Sequence, residues 1–183
     1  MILQLFGGAA LFLYSMDTLT DALQQAAGDT LRQALARLTA HPLAGVLTGA
    51  AVTAVVQSSS AVTVLVLGLA GAIPVLLGDN IGTTVTAVLA SVGQSRDAKR
   101  LAAAHALFNL SGAAVCWLLL PQFTALVQLV SPHGPESAVL ARQIANAHTL
   151  FNLGCTVLWL PLTPCMVRIV CILLPEKHAP ELK

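Results

Sequence analysis

Residues 43–73 read LAGVLTGAAVTAVVQSSSAVTVLVLGLAGAI, an uncharged stretch with a polar knot, Gln57-Ser58-Ser59-Ser60, at its centre. A membrane-crossing helix needs about 20 mostly apolar residues, and this stretch exceeds that. Four adjacent polar residues at mid-segment are costly against lipid. Backbone that leaves the helix at that depth is tolerated only inside protein or beside a water-filled cavity. The stretch therefore predicts two half-helices, about 44–56 and 61–71, that meet at the serines. Residues 43–73 would then form a broken, re-entrant hairpin. The alternative is one continuous helix whose serines bond back to the preceding turn.

The flanks have the same apolar character. Hydrophobic residues make up 56% of the chain and charged residues 9%, against about 25% charged in a soluble domain. Between Arg37 and Arg96 the only formal charge is Asp79, and residues 101–135 and 143–167 carry none. These stretches leave room for roughly five or six membrane segments. A soluble core would need a solvated face to cover it, and the sequence offers none. The fold class is an all-α membrane protein. A net charge of +1 without a basic stripe argues against a nucleic-acid partner. Cys116, Cys155, Cys165 and Cys171 lie in apolar stretches without metal-ligand spacing. They read as small buried hydrophobes, neither a disulfide framework nor a zinc site.

Residues 1–175 divide as one transmembrane repeat. Residues 1–16 lack a basic leader and a cleavage site, and read as a membrane helix rather than a signal peptide. Residues 17–38 set Leu19, Leu23, Leu31, Leu35 and Leu38 against Asp17, Asp21, Asp29, Arg32 and Arg37, the pattern of an amphipathic interfacial helix. His41-Pro42 ends it. Residues 74–93 read as an interrupted membrane helix, apolar up to Gly78-Asp79-Asn80-Ile81-Gly82 and helical again from Thr83. Residues 93–100 form a polar connection whose Arg96, Lys99 and Arg100 suggest a cytoplasmic loop. Membrane helices follow at 101–130 and 143–174, then a polar tail at 176–183. Both late helices contain one repeated motif, AHALFNL at 104–110 and AHTLFNL at 147–153.

Three constellations carry chemistry. At Gln57-Ser58-Ser59-Ser60, hydroxyls and an amide both donate and accept. A helix that starts after the serines points free N–H groups at the break and favours an anion. The half-helix that ends there offers free carbonyls to a cation, the arrangement of many secondary transporters. At Gly78–Thr84, the glycines permit close backbone approach and positive φ. The hydroxyls and N–H groups of Thr83 and Thr84 would face a break. Asp79 is an intramembrane ionisable residue and so a candidate cation or proton site; the alternative is a helix cap. In the repeat, His105 and Asn109, and likewise His148 and Asn152, share one helix face. They read as structural polar groups that bond to a neighbouring helix, with a substrate or proton-relay role as the alternative. An intramembrane serine hydrolase would need a serine–histidine pair, but no Gly-x-Ser-x-Gly elbow is present.

Gln57-Ser58-Ser59-Ser60, followed by Gly78-Asp79-Asn80-Ile81-Gly82-Thr83-Thr84 and two Ala-His-x-Leu-Phe-Asn stretches, resembles the type II sodium-dependent phosphate cotransporters and their bacterial relatives. The resemblance covers nearly the whole chain and matches that family's C-terminal repeat. It implies a fold of two inverted repeats, each with a Gln-Ser-Ser-Ser hairpin, and sodium and inorganic phosphate bound between the hairpins. Gln57, Ser58, Ser59, Ser60, Asn80, Thr83 and Thr84 would be the substrate and sodium residues, with no cofactor and no metal beyond sodium. The chain departs from the pattern in having one Gln-Ser-Ser-Ser element and a shorter connection from Ser60 to Gly78. Asp79 stands where a small or neutral residue is common, and the PhoU-like domain of many bacterial members is absent. The expected protein is one half of an inverted-repeat transporter in the cell's inner membrane, multi-pass, completed by a missing half or by an antiparallel homodimer. The alternatives are a non-transporting remnant subunit and a carrier of another small anion.

Overall fold

The computed structural model describes residues 41–56 and 69–176 continuously, with isolated positions between residues 4 and 39. The expected helix at 1–16, the interfacial helix at 17–38, the polar knot Gln57–Ser60 and the tail beyond residue 176 lie outside the continuously described residues.

Six helices make up the described part: α1 (Pro42–Val56), α2 (Leu69–Gly82), α3 (Thr84–Ala90), α4 (Arg96–Leu118), α5 (Leu120–Leu129) and α6 (Glu136–Leu173). Among the described residues, Leu69–Ala90, Arg96–Leu118 and Val139–Leu173 are long and apolar enough to cross a membrane. α1 has 15 residues. At 1.5 Å per residue it is about 22 Å long, short of a bilayer core of about 30 Å.

Several boundaries differ from the sequence reading. The second apolar segment starts at Leu69, so residues 69–73, which the hairpin reading included, begin α2, and Pro74 lies within that helix. Membrane helices admit proline where neighbouring helices cover the disturbed turn. Here Pro74 packs on α1, where a Cβ placed on Gly45 would sit 3.0 Å from the proline Cβ. α4 starts at Arg96 rather than 101. Ser95 caps it, its Oγ accepting from Ala98 N at 3.2 Å, and Asp97 lies in the positive first turn. The expected helix 101–130 divides at Leu119, because Pro121 lacks the N–H and the room that a continuing helix needs. α6 begins at Glu136 and runs 38 residues, about 57 Å, with Pro161 and Pro164 inside it.

α2 is the hub. Its Leu69, Ile73, Leu76 and Leu77 are buried with Ala113 of α4, Phe123 and Val127 of α5, and Ala147, Phe151 and Cys155 of α6. Between membrane helices the attraction is close packing rather than hydrophobic transfer, so small residues mark the seams. Gly112 of α4 is one: a Cβ there would run into Cys155 Sγ and stand 3.1 Å from Phe151 Cζ. α4 and α6 are antiparallel. Arg100 Nε of α4 donates to Leu174 O at 3.1 Å, beside ion pairs to Asp97 (3.3 Å) and Glu176 (3.5 Å). At the opposite end Asn146 Nδ2 donates to Ser131 Oγ at 2.9 Å. Leu153, Val157, Leu160, Val167, Ile172 and Leu173 of α6 are exposed, an apolar surface suited to lipid. Cys165 is on that exposed face, which corrects its reading as buried; Cys155 is buried.

Candidate functional site

The closest seam joins α1 and α2. Gly45 faces Pro74, Gly49 faces Val75 and Asp79, Gly78 faces Val46 and Ala50, and Gly82 faces Ala50 and Thr53. Residue numbers rise together along the two helices, so the pair is parallel. A Cβ on Gly78 would overlap the Val46 carbonyl and lie 2.7 Å from Ala50 N; one on Gly82 would lie 2.6 Å from Ala50 O. Both helices carry small residues four apart, Gly45-x3-Gly49-x3-Thr53 and Gly78-x3-Gly82. This is the spacing that lets two membrane helices touch backbone to backbone. Two consequences follow from the parallel register. Val56 and Leu69 lie at opposite ends of the pair, and the C-terminal end of α1 lies beside the junction of α2 and α3.

That junction is not the break that Gly78–Gly82 suggests. α2 runs through both glycines. Thr83 keeps helical angles (φ −60, ψ −24), and its N–H donates to Asp79 O at 2.9 Å. The glycines serve close approach; the positive φ belongs to Gly93 (76°), in the turn before α4. Thr83 therefore does not present a free N–H group to a gap. The hydroxyls of Thr83 and Thr84 donate to Asn80 O (2.8 Å) and Ile81 O (2.7 Å), and Asn80 Nδ2 donates to Leu76 O (2.8 Å). With hydrogens turned back onto the helix, the threonine oxygens are left as acceptors, a chemistry that suits a cation.

Asp79 is 0% exposed. Thr53 Oγ1 of α1 donates to its Oδ1 at 2.8 Å, while Oδ2 has no hydrogen-bond partner among the described residues. The helix-cap alternative does not describe this contact, which crosses to another helix. Thr53, Gly45 and Gly49 were not singled out from sequence. The fourfold spacing of small residues in two apolar segments was the signal available for them.

The repeated motif behaves differently from the expectation of cross-helix bonds. Asn109 Nδ2 donates to His105 O at 3.1 Å, and Asn152 Nδ2 to His148 O at 2.9 Å. Each asparagine caps the carbonyl of its own motif's histidine, which accounts for the i, i+4 spacing. The two copies sit in unlike surroundings: Asn109 is buried and Asn152 exposed. Phe151 is in the core and Phe108 packs at its edge. The hydrogen bond that does cross from α6 to α4 runs from Trp159 Nε1 to Ser111 Oγ at 2.8 Å. His105 faces an open cavity of about 640 Å³, lined mainly by alanines of α3 and α4 with Leu101, Phe108 and Met166. Asp79 and Gly82 are thus brought together with α1, while the two motifs pack on the same hub through Phe151, Ala147 and Phe108.

These features define a helical membrane protein with polar and ionisable groups held at the middle of a span. Its family model is the Na+/Pi-cotransporter, matched by residues 11–129. The chain belongs to the Na+/Pi-cotransporter family, a family of transporters rather than enzymes. It is 38% identical over 139 residues to the uncharacterized protein YqeW of Bacillus subtilis (strain 168), covering 72% of this chain and 43% of that protein. It is 39% identical over 105 residues to sodium-dependent phosphate transport protein 2C of Homo sapiens, covering 51% of this chain and 17% of that one. With protein 2A of Oryctolagus cuniculus the identity is 36% over 99 residues, 48% of this chain and 15% of the relative. The chain thus spans less than half the length of these relatives. No solved structure matches it.

Proposed function

We propose that this chain is one repeat of a sodium-coupled phosphate transporter of the cell's inner membrane. The observation that carries the proposal is the parallel, glycine-tight packing of α1 on α2. In that register Thr53, four residues before Gln57, stands beside Gly82, next to Thr83 and Thr84 in the chain. A re-entrant hairpin is the reading that would join Val56 to Leu69, which are at opposite ends of the pair. Gln57, Ser58, Ser59 and Ser60 would line the site from that connection and Asn80, Thr83 and Thr84 from α2 and α3.

The roles divide by chemistry. The hydroxyls of Ser58, Ser59 and Ser60 would donate to phosphate, and charge-assisted bonds of that kind are stronger than neutral ones. Thr83 and Thr84, whose hydrogens are engaged, offer oxygen lone pairs to sodium. One repeat supplies one wall of such a site, so a second repeat completes it, either a covalent half or an antiparallel second copy. Transport proceeds by alternating access, one repeat moving against the other.

The test is radiolabelled phosphate uptake in vesicles by the transporter that contains this repeat, with Ser58 and Ser59 both changed to alanine. Each lost bond to a charged ligand costs on the order of 1.5 kcal/mol. The expected result is an apparent phosphate affinity at least roughly tenfold weaker. Uptake unchanged by the double substitution removes the site assignment. Uptake of another oxyanion in preference to phosphate reassigns the substrate.

A further inference from the structure

Beside the apolar surface of α6 runs a polar stripe. Thr149, Asn152, Thr156 and Thr163 are exposed, and counted from Ala145 they follow at steps of 4, 3, 4 and 7 residues. At 3.6 residues per turn these positions share one narrow face, and the alternation of four and three is the period of a seam between two helices. From Ala145 to Thr163 the face is about 27 Å long, within a bilayer core of about 30 Å. Thr156 is at the middle of the membrane-long segment Val139–Leu173. The threonine hydroxyls turn back onto their own helix, to Ala145 O (3.0 Å), Asn152 O (2.8 Å) and Leu160 O (2.9 Å). Asn152 is different. One amide N–H donates to His148 O at 2.9 Å, and the other N–H and the amide oxygen have no partner among the described residues.

An amide with a donor and an acceptor unmet at mid-span is costly against lipid, so such groups face protein or water. In the other copy of the motif the equivalent Asn109 is buried inside the repeat; Asn152 has to find its cover outside. A repeat that completes the serine-lined site does not supply that cover. α1 meets the hub at Gly78 and Gly82, whereas α4, α5 and α6 pack with Leu69, Ile73 and Leu76 on its opposite side. The unmet groups of Asn152 are one donor and one acceptor, so the face is complementary to itself. We infer that the Ala145–Thr163 face of α6 is the interface of a parallel homodimer of this chain. A two-fold axis along the membrane normal sets Asn152 against Asn152 of the second copy, and each amide donates to the other. Ala145 and the threonines keep the seam narrow enough for that exchange. An antiparallel pair centred on Thr156 would instead set Asn152 against Leu160 and leave the amide unmet. Arg142 and Arg168 lie beyond the two ends of the stripe, so no like charges meet within it. The dimer does not rest on the transport reading.

The test is oxidative cross-linking of the full chain in native membranes, in a background without the native cysteines. The variants are Thr149→Cys and Thr156→Cys on the stripe and Val157→Cys, which is exposed on another face of α6. Each stripe variant should give a band of twice the chain's mass, and Val157→Cys should stay monomeric. Equal cross-linking at all three positions is random collision and overturns the interface. Cross-links that form only between Thr149→Cys and Thr156→Cys chains mean an antiparallel pair and overturn the parallel one. Stripe cysteines that join instead to a cysteine placed within residues 1–16 of the same chain, or to a different protein, also overturn it. The second measurement is energy transfer between labelled chains in lipid vesicles. Asn152→Leu should weaken dimerisation about tenfold, as for two bonds of the strength found between membrane helices. Its melting temperature should stay with the parent's, because within the chain Asn152 bonds only to its own helix. Dimerisation unchanged by Asn152→Leu overturns the assignment.

Discussion

Changing Gly78 to alanine tests the seam on which the site is built. The new Cβ would lie 2.7 Å from Ala50 N and overlap the Val46 carbonyl. Ordinary contact begins near 3.4 Å, so α1 and α2 must separate by roughly 0.7 Å or more. Both obstacles are backbone, so no side chain can swing away. Overpacking of a tight interior costs typically about 1–3 kcal/mol, and a clash against two backbone groups belongs at the upper end. Alanine gains about 1 kcal/mol in helix propensity over glycine, which leaves a net loss of roughly 2 kcal/mol. The control is Gly154→Ala on the exposed face of α6, where an added Cβ meets nothing within 4 Å. The assay is thermal unfolding of the purified protein in detergent, followed by a thiol-reactive dye that reports exposure of the buried Cys155. Gly78→Ala should unfold several degrees below the parent, and Gly154→Ala at or slightly above it. Equal melting temperatures for the two variants would refute the backbone-to-backbone packing of α1 on α2.

Further expectations are open to measurement. Trp159→Phe removes the α6–α4 hydrogen bond, and because such bonds in membranes average about 0.6 kcal/mol, its melting temperature should fall by no more than a degree or two. Arg100→Ala removes the bond to Leu174 O and two pairs to exposed carboxylates. Most of its loss, on the order of 1 kcal/mol, should come from the carbonyl contact and persist in high salt, because exposed pairs contribute little and are screened. Gly93→Ala forces a side chain into a φ of 76° and should destabilise by about 1 kcal/mol, read in the same melt. Arg96, Lys99, Arg100 and Arg168 gather at one end of the bundle, so charge bias leads to the expectation that this end faces the cytoplasm. A cysteine placed at Gln94 should label from the cytoplasm and one at His133 from the outside, in a background without the native cysteines.

Much of this architecture is legible in the sequence, because membrane helices announce themselves by length without charge. The stretches 101–118 and 143–167 are examples, and both fall inside helices. The boundary at Arg96 was misplaced because charged residues weigh against a hydropathic segment, although polar groups are what a first helical turn favours beside a cap such as Ser95. Gly78 and Gly82 illustrate a deeper ambiguity. Glycine serves a broken backbone and a close helix contact equally well, and only the matching fourfold spacing in α1 separates the two uses. Thr53 was hidden for another reason. One threonine in an apolar helix is unremarkable until the parallel register sets it against Asp79. The asparagines of the repeat were read by face alone, and a face cannot say whether an amide turns outward or back to a carbonyl four residues earlier.

The central claim is that this repeat belongs to a transporter that couples sodium to phosphate. The most direct measurement is radiolabelled phosphate uptake into native membrane vesicles from cells with and without the chain, where any second repeat is supplied by the cell itself. The account predicts a component of uptake that requires the chain, rises with an inward sodium gradient and vanishes when that gradient is collapsed. Phosphate uptake that is the same with and without the chain, or that ignores the sodium gradient, would contradict it.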